Sequence, residues 1–190
     1  PYILVAVVIF QGILGMWTVT LLLKPVVVMA HLLGGLTTLG ILFWLGQWRL
    51  SVQKSRFSLR PLRVFALSAM LILVLQISLG GWTSSNYAAL ACPDFPTCQT
   101  KWWPPVTDFH EGFVLWRGIG IDYEGGVLDN PARVAIHFTH RLGAIVTTIF
   151  LSLLGWLMIR RKELRPDGFA LFIMLFIQLA LGVSIVVYSA

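Results

Sequence analysis

The chain has 190 residues, 57% of them hydrophobic and 12% charged, with a mean hydropathy of +0.83. That balance excludes a soluble globular domain, and it excludes disorder, which needs little hydrophobicity and much charge. The net charge of +6 speaks for orientation in a bilayer and not for nucleic acid, because the basic residues fall in loops between apolar runs without an interleaved aromatic pattern.

The first apolar run, Tyr2 to Leu23, and the second, Val26 to Leu45, are each long enough to cross a hydrocarbon core of about 30 Å at about 1.5 Å per residue. Only Lys24 and Pro25 separate them, which predicts a tight helical hairpin. Proline suits the helix start because its missing N–H has no partner to lose there. The loop from Gly46 to Arg63 carries Arg49, Lys54, Arg56, Arg60 and Arg63 and no acid, so it reads as cytoplasmic. A third span covers Val64 to Trp82. The loop from about Thr83 to Arg133 has six acids (Asp94, Asp108, Glu111, Asp122, Glu124 and Asp129) against Lys101, Arg117 and Arg133, and reads as periplasmic. A connection of this length is expected to fold over the outer face. Phe109, Phe113, Leu115 and Trp116 among polar residues predict an amphipathic helix over Asp108 to Gly118 at the interface, and Trp102 and Trp103 resemble an aromatic belt. The last spans are Val134 to Ile159 and Gly168 to Ser189. Between them Arg160, Arg161, Lys162 and Arg165 mark a second cytoplasmic loop, on the side that the span count requires.

The predicted fold is an all-α integral membrane protein, a helical bundle of pseudo-repeated helix pairs with five transmembrane spans. Residues 1–45 read as the end of an N-terminal half-bundle of two spans and 46–63 as a basic cytoplasmic loop. Residues 64–190 read as a C-terminal half-bundle of three spans with the outer loop 83–133. Pro1 already lies in an apolar run and Val186 to Ala190 end another, so the chain reads as a fragment that has lost spans at both ends.

Three spans share one pattern. Gln11-Gly-Ile-Leu-Gly15, Gln76-Ile-Ser-Leu-Gly80 and Gln178-Leu-Ala-Leu-Gly182 each place Gln four residues before Gly, on one helix face, where glycine admits a neighbouring backbone and glutamine bonds across it. This is a packing signature. The second and fourth spans share another: His31-Leu-Leu-Gly34 matches His140-Arg-Leu-Gly143. The unit is thus a Gln-type helix followed by a His-type helix, in two copies and a half. An ionisable residue within a span costs free energy and marks a site unless it packs as a neutral ring. Two histidines at matching repeat positions, each with a glycine one turn away to admit a flat bulky group, point to axial ligands of haem iron. His137 shares a helix with His140 and cannot supply the opposite ligand to the same iron, so it reads as a supporting or propionate contact. Arg141 reads either as a propionate partner or as a side chain snorkelling to the outer interface. His110, beside Glu111, reads as a solvated loop residue. Cys92 and Cys98, both in the exported loop, read as a local disulfide, either a structural staple or a redox-active pair.

Taken together, Gln11-Gly-x-Leu-Gly-x-Trp-Thr-Val, Ala30-His31-Leu-x-Gly, Gln76-x3-Gly-Gly-Trp-Thr-Ser, Cys92-Pro-Asp-Phe-Pro-x-Cys98 and His137-Phe-Thr-His140-Arg141 resemble the haem A synthase family. The resemblance covers essentially the whole chain. It implies an eight-span enzyme of two four-helix halves, of which this chain matches spans three to seven. It further implies that His31 ligates the substrate haem of the first half and His140 a resident haem b in the second, with the partner ligands on missing spans. The reaction implied is oxidation of the C8 methyl of haem O to a formyl group, in the bacterial inner membrane, with haem O synthase upstream and cytochrome c oxidase or its assembly factors downstream. Apart from membrane lipid no further partner is expected, and no nucleic acid. Two other classes stay open on the residues alone: a bis-histidine b-type cytochrome with His31 and His140 on one haem, and a haem-free transporter or assembly scaffold.

Overall fold

The computed structural model describes residues 2–50 and 60–188. Its elements are α1 (Tyr2–Thr20), α2 (Pro25–Leu50), α3 (Arg60–Ser85), the single turn α4 (Phe109–Gly112), α5 (Asn130–Ile159) and α6 (Arg165–Tyr188), with a 3₁₀ turn at Lys162–Leu164. All helices but α4 are long and apolar enough to cross a membrane, in agreement with the five predicted spans. Helices are the outcome expected of such runs, since a bilayer offers the backbone no other hydrogen-bond partners. Lys54 and Arg56 of the basic loop lie outside the described residues.

Two compact units are present, Pro1–Ser58 with Val114–Val127, and Leu59–Phe113 with Leu128–Ala190. In the first, α1 and α2 form the expected hairpin, and α2 starts at Pro25. Its turn is wider than two residues. Leu22 and Leu23 both adopt left-handed backbone (φ 51° and 58°), with the Leu23 N–H bonded to Thr18 O at 2.9 Å. That conformation is unfavourable for leucine and needs outside support. Residues 114–127 supply it. The Tyr123 N–H donates to Leu22 O at 3.1 Å, while the buried Lys24 ammonium donates to Gly118 O and stands 3.1 Å from the centroid of the Trp116 ring. Part of the long loop is thus a strap across the first hairpin's tip.

In the second unit α5 packs against α3, α4 and α6. Its start is fixed by Asp129, whose carboxylate accepts from the Ala132 N–H at 3.1 Å, and by Pro131 in the first turn. The crossing with α6 is close because Gly168 meets the Gly155 carbonyl: a Cβ there would stand 2.9 Å from the oxygen. The amphipathic helix expected over Asp108 to Gly118 is a single turn. Asp108 caps it through the Glu111 N–H at 2.8 Å, and the Gly112 carbonyl accepts from the Trp82 indole at 2.9 Å. From Val114 to Val127 the chain belongs to the first unit.

Candidate functional site

Each unit pairs one Gln-x3-Gly helix with one His-x2-Gly helix, and the two sequences interlock residue for residue. In the first unit Gly15 of α1 lies against the imidazole of His31 on α2: a Cβ at Gly15 would stand 3.3 Å from Cε1 and 3.8 Å from both ring nitrogens. Gly34, one turn beyond His31, is covered by the amide of Gln11, and a Cβ at Gly34 would run into that amide. In the second unit Gly80 of α3 lies against His140 of α5, with Cε1 at 3.2 Å and both nitrogens at 3.9 Å from a Cβ built there. Gly143 is covered by the amide of Gln76 and by Leu79, whose Cδ1 would be 3.0 Å from an added Cβ. The repeat spacings explain this reciprocity. Residues four apart on one helix and three apart on the other share faces, so each glycine opens the notch that the opposite polar side chain fills. The glycine after each histidine, expected to admit a flat group, instead admits the partner helix's glutamine.

The polar atoms of the two pairs are unevenly satisfied. Gln76 Nε2 lies 3.0 Å from His140 Nδ1 and 3.1 Å from the His140 carbonyl. Gln76 Oε1, Gln11 Nε2 and His31 Nδ1 are buried without a hydrogen-bond partner, and only Arg133 Nε joins them among the described residues. A buried unsatisfied group costs about 1–3 kcal/mol, and two of these atoms belong to the matching glutamines, Gln11 and Gln76. The described residues contain no group of three or more His, Cys, Asp or Glu able to hold a metal ion. An imidazole nitrogen is a donor of the kind that holds haem iron, so the chemistry of either ring fits a metal carried in a larger group.

The N-terminal end of α5 is organised differently. Cys92 and Cys98 are joined in a disulfide, as the sequence indicated, and both sulfurs are buried with Val134 and Phe138. Trp103 packs edge-on against Phe138 at 4.9 Å. His137 Nδ1 accepts from the Cys92 N–H at 3.1 Å, and its Nε2 faces Arg141 Nε at 3.3 Å. Neutral imidazole has one acceptor nitrogen, so the shorter Cys92 bond takes precedence. Arg141 Nη1 donates to the carbonyls of Asp94 (2.8 Å) and Thr97 (2.6 Å), and Nη2 to that of Cys92 (2.8 Å). With the Cys92 N–H on Nδ1, His137 Nε2 carries the ring proton and does not accept, so the Arg141 Nε–H and one Nη2–H remain for another partner. Within the loop Asp94 accepts from the Thr97 hydroxyl and from the N–H groups of Gln99 (2.7 Å) and Thr100 (2.9 Å). The Thr97 hydroxyl, with these backbone donors, holds its carboxyl below the usual carboxylate range. His110 is exposed on α4.

Sequence reasoning brought His31 and His140 to equivalent positions but did not foresee that Gln76 touches the His140 ring. The signal was present in the shared register of the Gln and His patterns. The fastening of the disulfide loop by Arg141 had no comparable signal, because nothing in the sequence aims an arginine at backbone carbonyls.

The family whose members are described as cytochrome oxidase assembly proteins (COX15-CtaA) matches residues 1–190 of this chain. A relative named heme A synthase, from Shewanella oneidensis, is 42% identical over 189 residues, which is 98% of this chain and 57% of the relative. The chain thus spans little more than half the length of that relative. No solved structure matches it.

Proposed function

The chain belongs to the family of cytochrome oxidase assembly proteins, and from that premise we propose that it is part of a haem A synthase, an oxidoreductase converting haem O to haem A. The observation that carries the reading is the repeated interlock, which gives each unit one imidazole in a glycine notch beside a buried glutamine. His140 is the residue we assign to a resident haem b, and His31 the residue assigned to the substrate haem O. When bound, haem supplies the oxygen and electron chemistry that methyl oxidation needs, so no amino-acid nucleophile is required. The side chains hold and orient: Gly15 and Gly80 fix where the imidazole rings lie, and Leu79 closes the space beside Gly143. His137 and Arg141 stand beside His140 and fasten the disulfide loop next to it. Arg141 would offer a haem carboxylate positive charge and the N–H groups not spent on the loop carbonyls.

The bonds from Leu22 and Lys24 to residues 116–123 support placing the α1–α2 turn and the long loop on one side of the bilayer, the periplasmic side. The basic residues near Arg160 then face the cytoplasm of a bacterial inner membrane. Haem O synthase is the matching supplier of substrate and cytochrome c oxidase assembly the consumer of product. The test is a pyridine haemochrome assay on the purified full-length protein with haem O added. Haem A formed from haem O is the expected result. Bound haem without conversion would favour an electron-transfer cytochrome, and no bound haem a scaffold.

A further inference from the structure

We propose that Gln76 is a positioning residue that sets the tautomer of His140, holding the ring proton on Nδ1 so that the Nε2 lone pair is free for iron. The inference rests on the reading of His140 as a haem ligand.

Gln76 has its terminal amide 3.0 Å from His140 Nδ1. With nitrogen at that end, the amide requires an Nδ1 lone pair and so puts the proton on Nε2, where it would block a metal; it also leaves Gln76 Oε1 buried and unpaired. Turned by half a rotation, the same amide occupies the same volume and presents oxygen to an Nδ1–H. The His140 carbonyl loses the side-chain donor but keeps its place in the α5 ladder. In the first unit the amide stands the other way over its glycine, without bonding His31 Nδ1. There Nε2 is the atom nearest Gly34, with Oε1 the farthest of the amide atoms, whereas over Gly143 the nearest amide atom is Oε1. The two copies thus present both orientations of one side chain in one notch, and in each the amide has a buried orphan atom. A ring nitrogen that binds metal works best when the other nitrogen donates to a fixed acceptor, which orients the ring and raises its basicity. Among the described residues His140 Nδ1 has no side-chain partner besides Gln76.

A neutral amide is a weaker acceptor than a carboxylate and a stronger one than a hydrocarbon, which gives the test its sign. In the full-length haem-loaded protein, Gln76→Glu should favour the oxidised haem and Gln76→Leu the reduced haem. A tenfold change in the oxidised-to-reduced ratio at fixed potential, about 59 mV for one electron, is the expected scale for the glutamate variant. Redox titration followed optically reads this, and the low-spin electron paramagnetic resonance signal should move in both variants. Gln76→Glu changes charge with almost no change of shape, so it tests the idea even if the leucine variant is unstable. Potentials equal to wild type in both variants, or displaced in the same direction, would overturn the proposal while leaving haem binding intact. Wild-type protein without haem, or a His140→Ala protein with an unchanged spectrum, would overturn it together with the ligand assignment.

Discussion

Aligned on His31 and His140, helices α2 and α5 agree at the glycine three residues on and differ where α5 meets the disulfide loop: α5 has His137 and Arg141, α2 has Val28 and Leu32. The first unit nevertheless has a fastened loop segment, the 114–127 strap, held from the hairpin tip by Lys24 and by the Leu22 carbonyl. What repeats is the glycine notch at each imidazole and the glutamine beside it; what varies is how the adjoining loop is tied down. Glutamine, glycine and histidine at fixed spacing satisfy one geometric demand, and the demand lies at the imidazole. Loop fastening has many solutions, since any buried cation near free carbonyls will do.

The largest effect that can break this comparison comes from the two rings themselves. His140→Ala in the full-length protein is expected to abolish a low-spin b-type spectrum. His31→Ala is expected to keep much of that spectrum and lose conversion of haem O to haem A. Optical spectra and pigment extraction on the same preparations decide it. If both replacements removed one common signal, the two units would serve a single haem and their likeness would mean something else.

A second test asks whether the two notches are equally tight. Gly143→Ala meets Leu79 at 3.0 Å as well as the Gln76 amide, whereas the three atoms nearest an added Cβ at Gly34 all belong to Gln11. A long amide can swing aside and a packed leucine cannot, so Gly143→Ala should cost about 1–3 kcal/mol as overpacking and Gly34→Ala distinctly less. Unfolding of each variant in mixed micelles measures the difference. Equal losses would show that the glutamine alone sets both costs.

The same contrast explains how far the sequence could be read. The spans were legible because a bilayer enforces runs of apolar residues, and five such runs returned as five helices. The repeat was legible because glycine, glutamine and histidine are rare enough inside a span to be noticed at matching intervals. Hidden were the features decided by a carbonyl. The Trp82 indole donates to the Gly112 oxygen where α4 ends, and Arg141 spends three of its N–H groups on loop carbonyls. Every residue has a carbonyl, so no residue type announces which one will be used. The strap was hidden for a related reason, because Lys24 looked like a turn residue at the water interface and is buried against Trp116.

Loop fastening can be tested by removing its cation. Arg141→Met keeps length and apolar bulk but deletes the bonds to Cys92, Asp94 and Thr97. Charge-assisted hydrogen bonds contribute about 1.5–3 kcal/mol each when buried, and less here because the arginine is partly exposed. The variant should release residues 92–101, seen as faster proteolytic nicking at Lys101. Leu32→Met, the matching change in α2, should leave nicking there unaltered, since Leu32 is exposed and fastens no loop. Nicking that is unchanged in Arg141→Met would mean that the disulfide and Phe138 hold the loop by themselves.

The smallest effect is confined to the far side of that loop. Gln99 and Thr100 both adopt left-handed backbone (φ 56° and 64°), and the N–H of each donates to the Asp94 carboxylate. Because the folded carboxyl titrates below its ordinary 3.8, the stabilisation is present above that value and is lost as pH falls through the lower folded one. Acidification into that window should therefore speed hydrogen exchange at the Gln99 and Thr100 amides, after correction for the intrinsic rate. The Tyr123 amide of the strap donates to a backbone carbonyl, which does not titrate, and should keep its protection over the same range. Asp94→Asn should show fast exchange at Gln99 and Thr100 without the acid dependence. If the wild-type loop exchanged alike above and below the window, the charge on Asp94 would have no part in holding the turn, and the Cys98–Lys101 backbone pair would account for it.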